Sequence, residues 1–390
     1  MTLALNRRRF LTSGAIGAAA IVGLDSRADA PTTKIMETKT ISNQPNFYHG
    51  WPTVARRRRG QLVVAYSGGR EAHVCPFGRV EMMVSNDEGA TWEYPQVLID
   101  MPIDARDAGV LVTSRGTMLV TTFTSLAYES ILTEAEKKKP DAPGAWPAEK
   151  LAAWRSAHNR LSAEQRQAAL GQWIIRSTDG GVTWSERYPS VVNSPHGPIQ
   201  LSDGRLLYAG KELWTGERRV GVAESFDDGR TWQWLAEIPT RPKDKDSNYH
   251  ELHAVEAPGG RIIAHIRNHN KDNDRETLQT ESTDGGKTWS VPQAIGVWGL
   301  PSHLLRMRNG HLLMSYSYRR APFGNQARVS IDNGRTWSEP MTISADGTNG
   351  DLGYPSTVEL DDGTLLTVWY ERMKSSPKAV LRQAKWVFQV

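Results

Sequence analysis

Cysteine is all but missing from this 390-residue chain, where Cys75 is the only one. An intrachain disulfide is therefore impossible, and a zinc site built on cysteine pairs is excluded. Long apolar runs are missing too: the stretch after Asn6-Arg-Arg-Arg-Phe-Leu-Thr12 ends at Leu24 and is too short for a membrane anchor. Charge of one sign is also scarce, since 47 Lys and Arg face 43 Asp and Glu for a formal net charge of +4. The basic clusters Arg7–Arg9, Arg56–Arg59 and Lys137–Lys139 read as solvated faces. With no recognition motif beside them, no nucleic-acid binding is expected. His250-x-x-His253 has an odd spacing that places its rings on opposite faces of a strand, so neither metal nor cofactor is expected.

The chain opens with a basic segment, a short weakly apolar core and an Ala-Asp-Ala30 end, which reads as a signal peptide over residues 1–30. Its Arg-Arg-x-Phe-Leu pattern resembles a twin-arginine signal, so export to the periplasm or beyond is expected.

What is abundant is tryptophan (14) and glycine (34), and both recur in one octapeptide. It reads SNDEGATW at Ser85–Trp92, STDGGVTW at Ser177–Trp184, SFDDGRTW at Ser225–Trp232, STDGGKTW at Ser282–Trp289 and SIDNGRTW at Ser330–Trp337. The pattern Ser-x-Asp-x-Gly-x-Thr-Trp has hairpin-turn chemistry. Asp accepts backbone N–H groups, Gly takes positive φ, Thr opens the return strand and Trp anchors the turn. The octapeptide is identified as the Asp-box, or BNR repeat, and through it the chain resembles the sialidase (neuraminidase) superfamily of β-propellers.

A second repeat lies between the boxes: an apolar strand, a turn centred on glycine, and another apolar strand. The turns are at Gly60, Gly116, Gly204, Gly260, Gly310 and Gly363, followed by runs such as QLVVAY, RIIAHIR and TLLTVWY. Six units predict an all-β, six-bladed propeller over residues 31–390, at about sixty residues per blade. Ala379–Val390 is expected to supply outer strands of the last blade, and Thr38–Phe47 to close the ring. Ile131–Gln172 breaks the pattern, with helical stretches at Ala148–Ala157 and Ser162–Leu170 and a capping box at Ser162-Ala-Glu-Gln165. It reads as a helical insertion in the second blade, either a lid or a dimer contact.

In a propeller the innermost strands meet at one rim, so a site recurs at one register. Nine residues before the turn glycines stand Trp51, Asp107, Pro195, Glu251, Pro301 and Tyr354, with His49, Arg106, His196, His253 and His303 beside them. The segments around Glu251 and Tyr354 resemble the sialidase segments carrying the nucleophile pair. The resemblance implies that Tyr354 attacks the anomeric carbon while Glu251 takes its proton. A neutral phenol avoids the repulsion that a carboxylate nucleophile would meet beside an acidic sugar. Arg267, with Arg319 or Arg320, is implied to hold the sugar carboxylate, which a guanidinium fork suits.

Two features depart from that family. Gly50 stands where an Arg-Ile-Pro arginine is expected, which leaves Arg70 or Arg106 as its replacement. The loop Gly69–Gly78 has no aspartate, so Glu71 and His73 are the acid/base candidates. The expected activity is retaining hydrolysis of a terminal acidic sugar from a glycan. Polysaccharide elimination at a uronic acid, or carbohydrate binding without turnover, are the alternatives.

Overall fold

A computed structural model describes residues 31–42 and 44–389, and the signal-peptide reading of residues 1–30 lies outside the described residues. The chain forms six four-stranded antiparallel sheets around a central axis, a six-bladed β-propeller. Innermost strands come from Tyr48–Arg56, Asp104–Val112, Ile199–Gln200, Tyr249–Glu256, Ser302–Arg306 and Leu352–Glu359. Second strands such as Leu62–Arg70 are buried along their whole length, because a neighbouring blade covers each face. That is why they read in sequence as continuous apolar runs. Neighbouring blades share apolar clusters, for example Val64 and Met83 with Val358 and Leu366 between the first and sixth blades.

The sixth blade is completed from the other end of the chain. Thr32–Thr40 pairs antiparallel with Ala379–Gln389, so the earlier segment is outermost and the last strand is third. The closing strand thus ends before much of the expected Thr38–Phe47 segment. Residues 44–47 turn instead, with the Phe47 amide donating to the Gln44 carbonyl around Pro45, which has no N–H for a ladder.

All five Asp-boxes share one hydrogen-bond pattern. In the first, Ser85 Oγ accepts from the Gly89 amide (2.7 Å) and donates to Asp87 (2.8 Å). Asp87 in turn accepts from the Thr91 amide (2.8 Å) and hydroxyl (2.6 Å). The threonines do not open a strand, as the sequence suggested, because their donors are committed to the carboxylate. The box glycine also needs to be small: at Gly334 (φ +79°) a Cβ would meet Ile263 Cδ1 of the preceding blade at 2.2 Å. Trp337 Nε1 reaches Gln279 of that same blade (3.0 Å) and Trp92 Nε1 reaches Gln383 (2.7 Å), so boxes tie blades together.

The insertion holds three helices, α1 (Tyr128–Glu136), α2 (Ala148–His158) and α3 (Ala163–Ala168). It begins a little before the expected Ile131, and Gln172 already belongs to the next strand. Ser162 and Gln165 form the reciprocal cap of α3. Tyr128, Leu132 and Trp154 pack on Cys75, Val74 and Phe77, so the helices lie against the loop joining the second and third strands of the first blade.

Candidate active site

The register that the turn glycines set has a common backbone signature. Trp51 (φ 53°), Asp107 (51°), Glu251 (40°) and Tyr354 (52°) are all left-handed, the region that favours glycine. The other two positions, Pro195 and Pro301, have φ held negative by their rings. Each left-handed residue sits at a break in ladder register: between Gly50 and Thr53, Arg106 and Gly109, His250 and Leu252, and Gly353 and Ser356. A bulge re-aims a side chain out of the strand's alternation. Four such positions, each strained by about 1–3 kcal/mol, ring one mouth of the axis.

Glu251 and Tyr354 meet there. The Tyr354 hydroxyl donates to Glu251 Oε1 at 2.5 Å. Arg267 donates to Glu251 Oε2 at 2.5 Å and to the Tyr354 oxygen at 3.0 Å. Burial opposes ionisation of Glu251, but the Arg267 charge and the hydrogen bonds outweigh it and hold the carboxyl below its usual range. Burial, and then the Glu251 charge, push the Tyr354 phenol well up. The phenol is therefore neutral at rest, with a proton acceptor already in contact. Arg319 stacks over the Tyr354 ring with Cζ 5.7 Å from its centroid and donates Nε to the Leu352 carbonyl (3.1 Å). Arg320 lies further out, with Cζ 3.6 Å from the Trp298 ring.

On the first-blade side, Trp51 lies edge-on to Tyr354 (centroids 6.4 Å apart) and to His73 (4.9 Å). His73 Nδ1 is 2.9 Å from Asp351 Oδ1, and Tyr48 donates to the same oxygen at 2.7 Å. The His73 side chain is 47% exposed, so its free edge faces solvent while its Nδ1 edge is fixed. Burial, opposed by Arg106 and reinforced by Glu251, raises the Asp107 carboxyl to about 7, and its Oδ1 is buried without a partner.

This geometry stands on a recognisable scaffold. The sequence profile described as the BNR repeat-like domain matches residues 126–367, well over half of the chain. The chain belongs to the BNR repeat-like family. Among solved structures, a protein of unknown function from Dyadobacter fermentans is 22% identical with a TM-score of 0.73, covering 92% of this chain and 99% of its own. Hadza microbial sialidase Hz136 is 20% identical (TM-score 0.60), over 86% of this chain and 65% of its own. Trypanosoma rangeli sialidase, solved with 2,3-difluorosialic acid as a covalent intermediate, is 18% identical (TM-score 0.54), over 87% of this chain and 54% of its own. The chain thus spans about two thirds of the one sialidase and about half of the other, and at these identities the likeness is one of fold. No curated protein matches the sequence.

Other residues singled out in this BNR-repeat propeller have structural partners. Arg70 is fully buried and forks onto Asp104 at 2.6 and 2.9 Å, with further donors on Ser67 and on the Ala105 and His73 carbonyls. No donor is left for a ligand. Arg106 stacks on Trp51 (4.7 Å), and its buried Nε lies 3.9 Å from Asp104 Oδ2 without a hydrogen bond, so of the two replacement arginines it is the less committed. Glu71 accepts from Trp154 Nε1 (2.7 Å) and pairs with Lys150 (2.8 Å), which ties α2 to the His73 loop and leaves the carboxylate engaged. His49 is buried edge-on to Tyr66.

His196, His253 and His303 line a cavity of about 540 Å³ along the axis, with ring centroids 4.6 to 5.4 Å apart. His253 Nδ1 accepts the Leu304 amide (2.9 Å) and His303 Nδ1 the Thr357 amide (3.4 Å), each from the next blade. Innermost strands have one unpaired edge, and these rings satisfy it. Among the described residues, no group of three or more His, Cys, Asp or Glu is placed to hold a metal ion. No helix there is long and apolar enough to cross a membrane.

Asp351, Tyr48 and Trp298 escaped the sequence reading, although a signal existed. Counting twelve rather than nine residues back from the turn glycines reaches Tyr48, Asp104, Trp298 and Asp351.

Proposed function

We propose that this protein is an exported, retaining exo-glycosidase of sialidase type that removes a terminal acidic sugar from a glycan. The contact that carries the reading is Tyr354 Oη to Glu251 at 2.5 Å, with Arg267 bridging both. As Tyr354 attacks the anomeric carbon, Glu251 takes the phenolic proton, and Arg267 balances the charge passing between the two oxygens. The bond to the leaving oxygen breaks, and protonated His73, oriented by Asp351, donates a proton to that oxygen. In the second step neutral His73 takes a proton from water, whose oxygen displaces Tyr354 from the anomeric carbon. The proton on Glu251 then returns to the phenolate. Arg319 and Arg106 flank the pair and supply the donors that Arg267, already committed, does not. The covalent intermediate named for the Trypanosoma rangeli sialidase supports a covalent step here by analogy of fold.

The test is a trapping experiment. Incubation with 2,3-difluorosialic acid, followed by peptide mass spectrometry, is expected to add one glycosyl group at Tyr354. Tyr354→Phe is expected to abolish that adduct and lower kcat by at least about 10³-fold. Turnover with label elsewhere, or unaffected by Y354F, refutes the assignment. The imidazole standing in place of an acidic side chain favours a second reading, elimination from a uronic acid with His73 as base. Its product would be unsaturated and absorb in the ultraviolet, which a hydrolysed sugar does not.

A further inference from the structure

A cavity of about 270 Å³ opens beside the Tyr354 group and is lined by Arg267, His269, Arg275, Trp298 and Arg319. Arg320 packs on the Trp298 ring with Cζ 3.6 Å from its centroid. Three guanidinium groups therefore line one small volume, and a fourth stacks on its tryptophan. Two have carboxylate partners: Arg267 with Glu251 at 2.5 Å and Arg275 with Asp274 at 3.7 Å. Among the described residues Arg319 and Arg320 have aromatic and carbonyl contacts and no carboxylate. Two positive charges are left uncompensated on one side of the site.

A single sugar carboxylate neutralises only one of them. The opposite side of the site is different: a cavity of about 130 Å³ lined by Asp107, Asn193, Lys211, His250 and Glu251, with acid and base side by side. The excess is thus local to the Trp298 side. Clustered cations in a partly enclosed cleft attract anions more strongly than they would in open water. Arginine forks suit flat or tetrahedral oxyanions, and a tryptophan wall suits the face of a sugar ring.

The geometry points to a substrate with two anionic groups: an acidic sugar held at Arg319 and Arg106, and a second negative group, carboxylate or sulfate ester, held at Arg320 and Arg275 beside Trp298. This rests on the glycosidase reading and narrows it to glycans that carry a neighbouring acidic or sulfated sugar.

The experiment pairs probes that carry one and two anionic groups. These are 3′-sialyllactose against its 6-sulfated form and against disialyl-lactose, and unsulfated against 4-sulfated chondroitin disaccharide. Kd is measured by calorimetry on full-length Y354F, and kcat/KM on the wild type, at fixed salt. The doubly charged member of at least one pair is expected to bind about tenfold more tightly. Arg320→Ala is expected to remove most of that preference and leave the singly charged probe unchanged. A preference for the sulfated but not the disialyl probe assigns the second group as a sulfate, and the reverse assigns a carboxylate. Equal affinity within every pair, an R320A effect on both members alike, or no binding of any probe overturns the proposal. Binding preference without turnover refutes the glycosidase reading alone, and turnover without preference refutes this pocket alone.

Discussion

Acid should unfold this propeller well before its carboxylates protonate. Five enclosed histidines, His49, His196, His253, His265 and His303, are all held neutral by burial. His49 and His265 are lowered to about 4 and His303 to about 3. In the unfolded chain each would titrate near 6.5, so below that pH the unfolded chain binds more protons. Their stabilisation is therefore complete above about 6.5 and is lost as pH falls towards the folded values. Between pH 6.5 and 5 each of His49, His265 and His303 forfeits about 1.6 kcal/mol, or about 5 kcal/mol together, and His196 and His253 act in the same sense. Asp107, raised to about 7, works in the opposite sense and returns about 2 kcal/mol over the same interval. The net loss of at least about 3 kcal/mol is a large share of a domain's stability.

The Asp-box carboxylates do not confuse the measurement. Asp87, Asp179 and Asp284 are lowered to about 2 by their threonine hydrogen bonds and begin to matter only below about pH 4. The assay is urea unfolding at half-unit steps from pH 7.5 to 5, read by tryptophan fluorescence. Stability should fall with a slope of about four protons' worth. His303→Gln, whose carbonyl can still accept the Thr357 amide, should flatten that slope by about one proton. A stability curve level between pH 7 and 5, or a slope untouched by H303Q, refutes the assignment of these rings as neutral acceptors.

Asp351→Asn should lower kcat about 10- to 100-fold and move the alkaline limb of the pH–rate profile, which the leaving-group acid sets, to lower pH, with KM little changed. An unshifted profile would make Asp351 a structural residue only. Gly334→Ala, which forces a methyl group towards Ile263 from a φ of +79°, should destabilise by about 1–3 kcal/mol in denaturant melts while leaving KM alone.

The parts of this molecule legible in sequence are those written locally. Each Asp-box closes its hydrogen bonds within eight residues, and each turn glycine sets the phase of its own strand. The register that aligned Glu251 with Tyr354 followed from that phase alone. The left-handed backbone there gave no sequence signal, because glutamate, aspartate, tyrosine and tryptophan do not advertise positive φ. Contacts between loops were hidden for a different reason. His73 and Asp351 lie 278 positions apart and meet only when the ring closes. Arg70 and Glu71 looked available because their partners, Asp104 and the α2 pair Lys150 and Trp154, belong to the second blade. The closing strand was misplaced because Thr38–Phe47 looked extended until Pro45 was seen to turn it.

The two ends of the described chain are zipped along one another, Thr32 opposite Gln389 and Thr40 opposite Arg382. Neither Thr32–Thr40 nor Ala379–Gln389 can be cut back freely, for losing either leaves its partner with an unpaired edge, and losing the second also removes the buried Leu381 and Trp386. Engineers wishing to add a label or cargo should leave both strands alone and use a surface bend such as residues 213–218, where no ladder is interrupted.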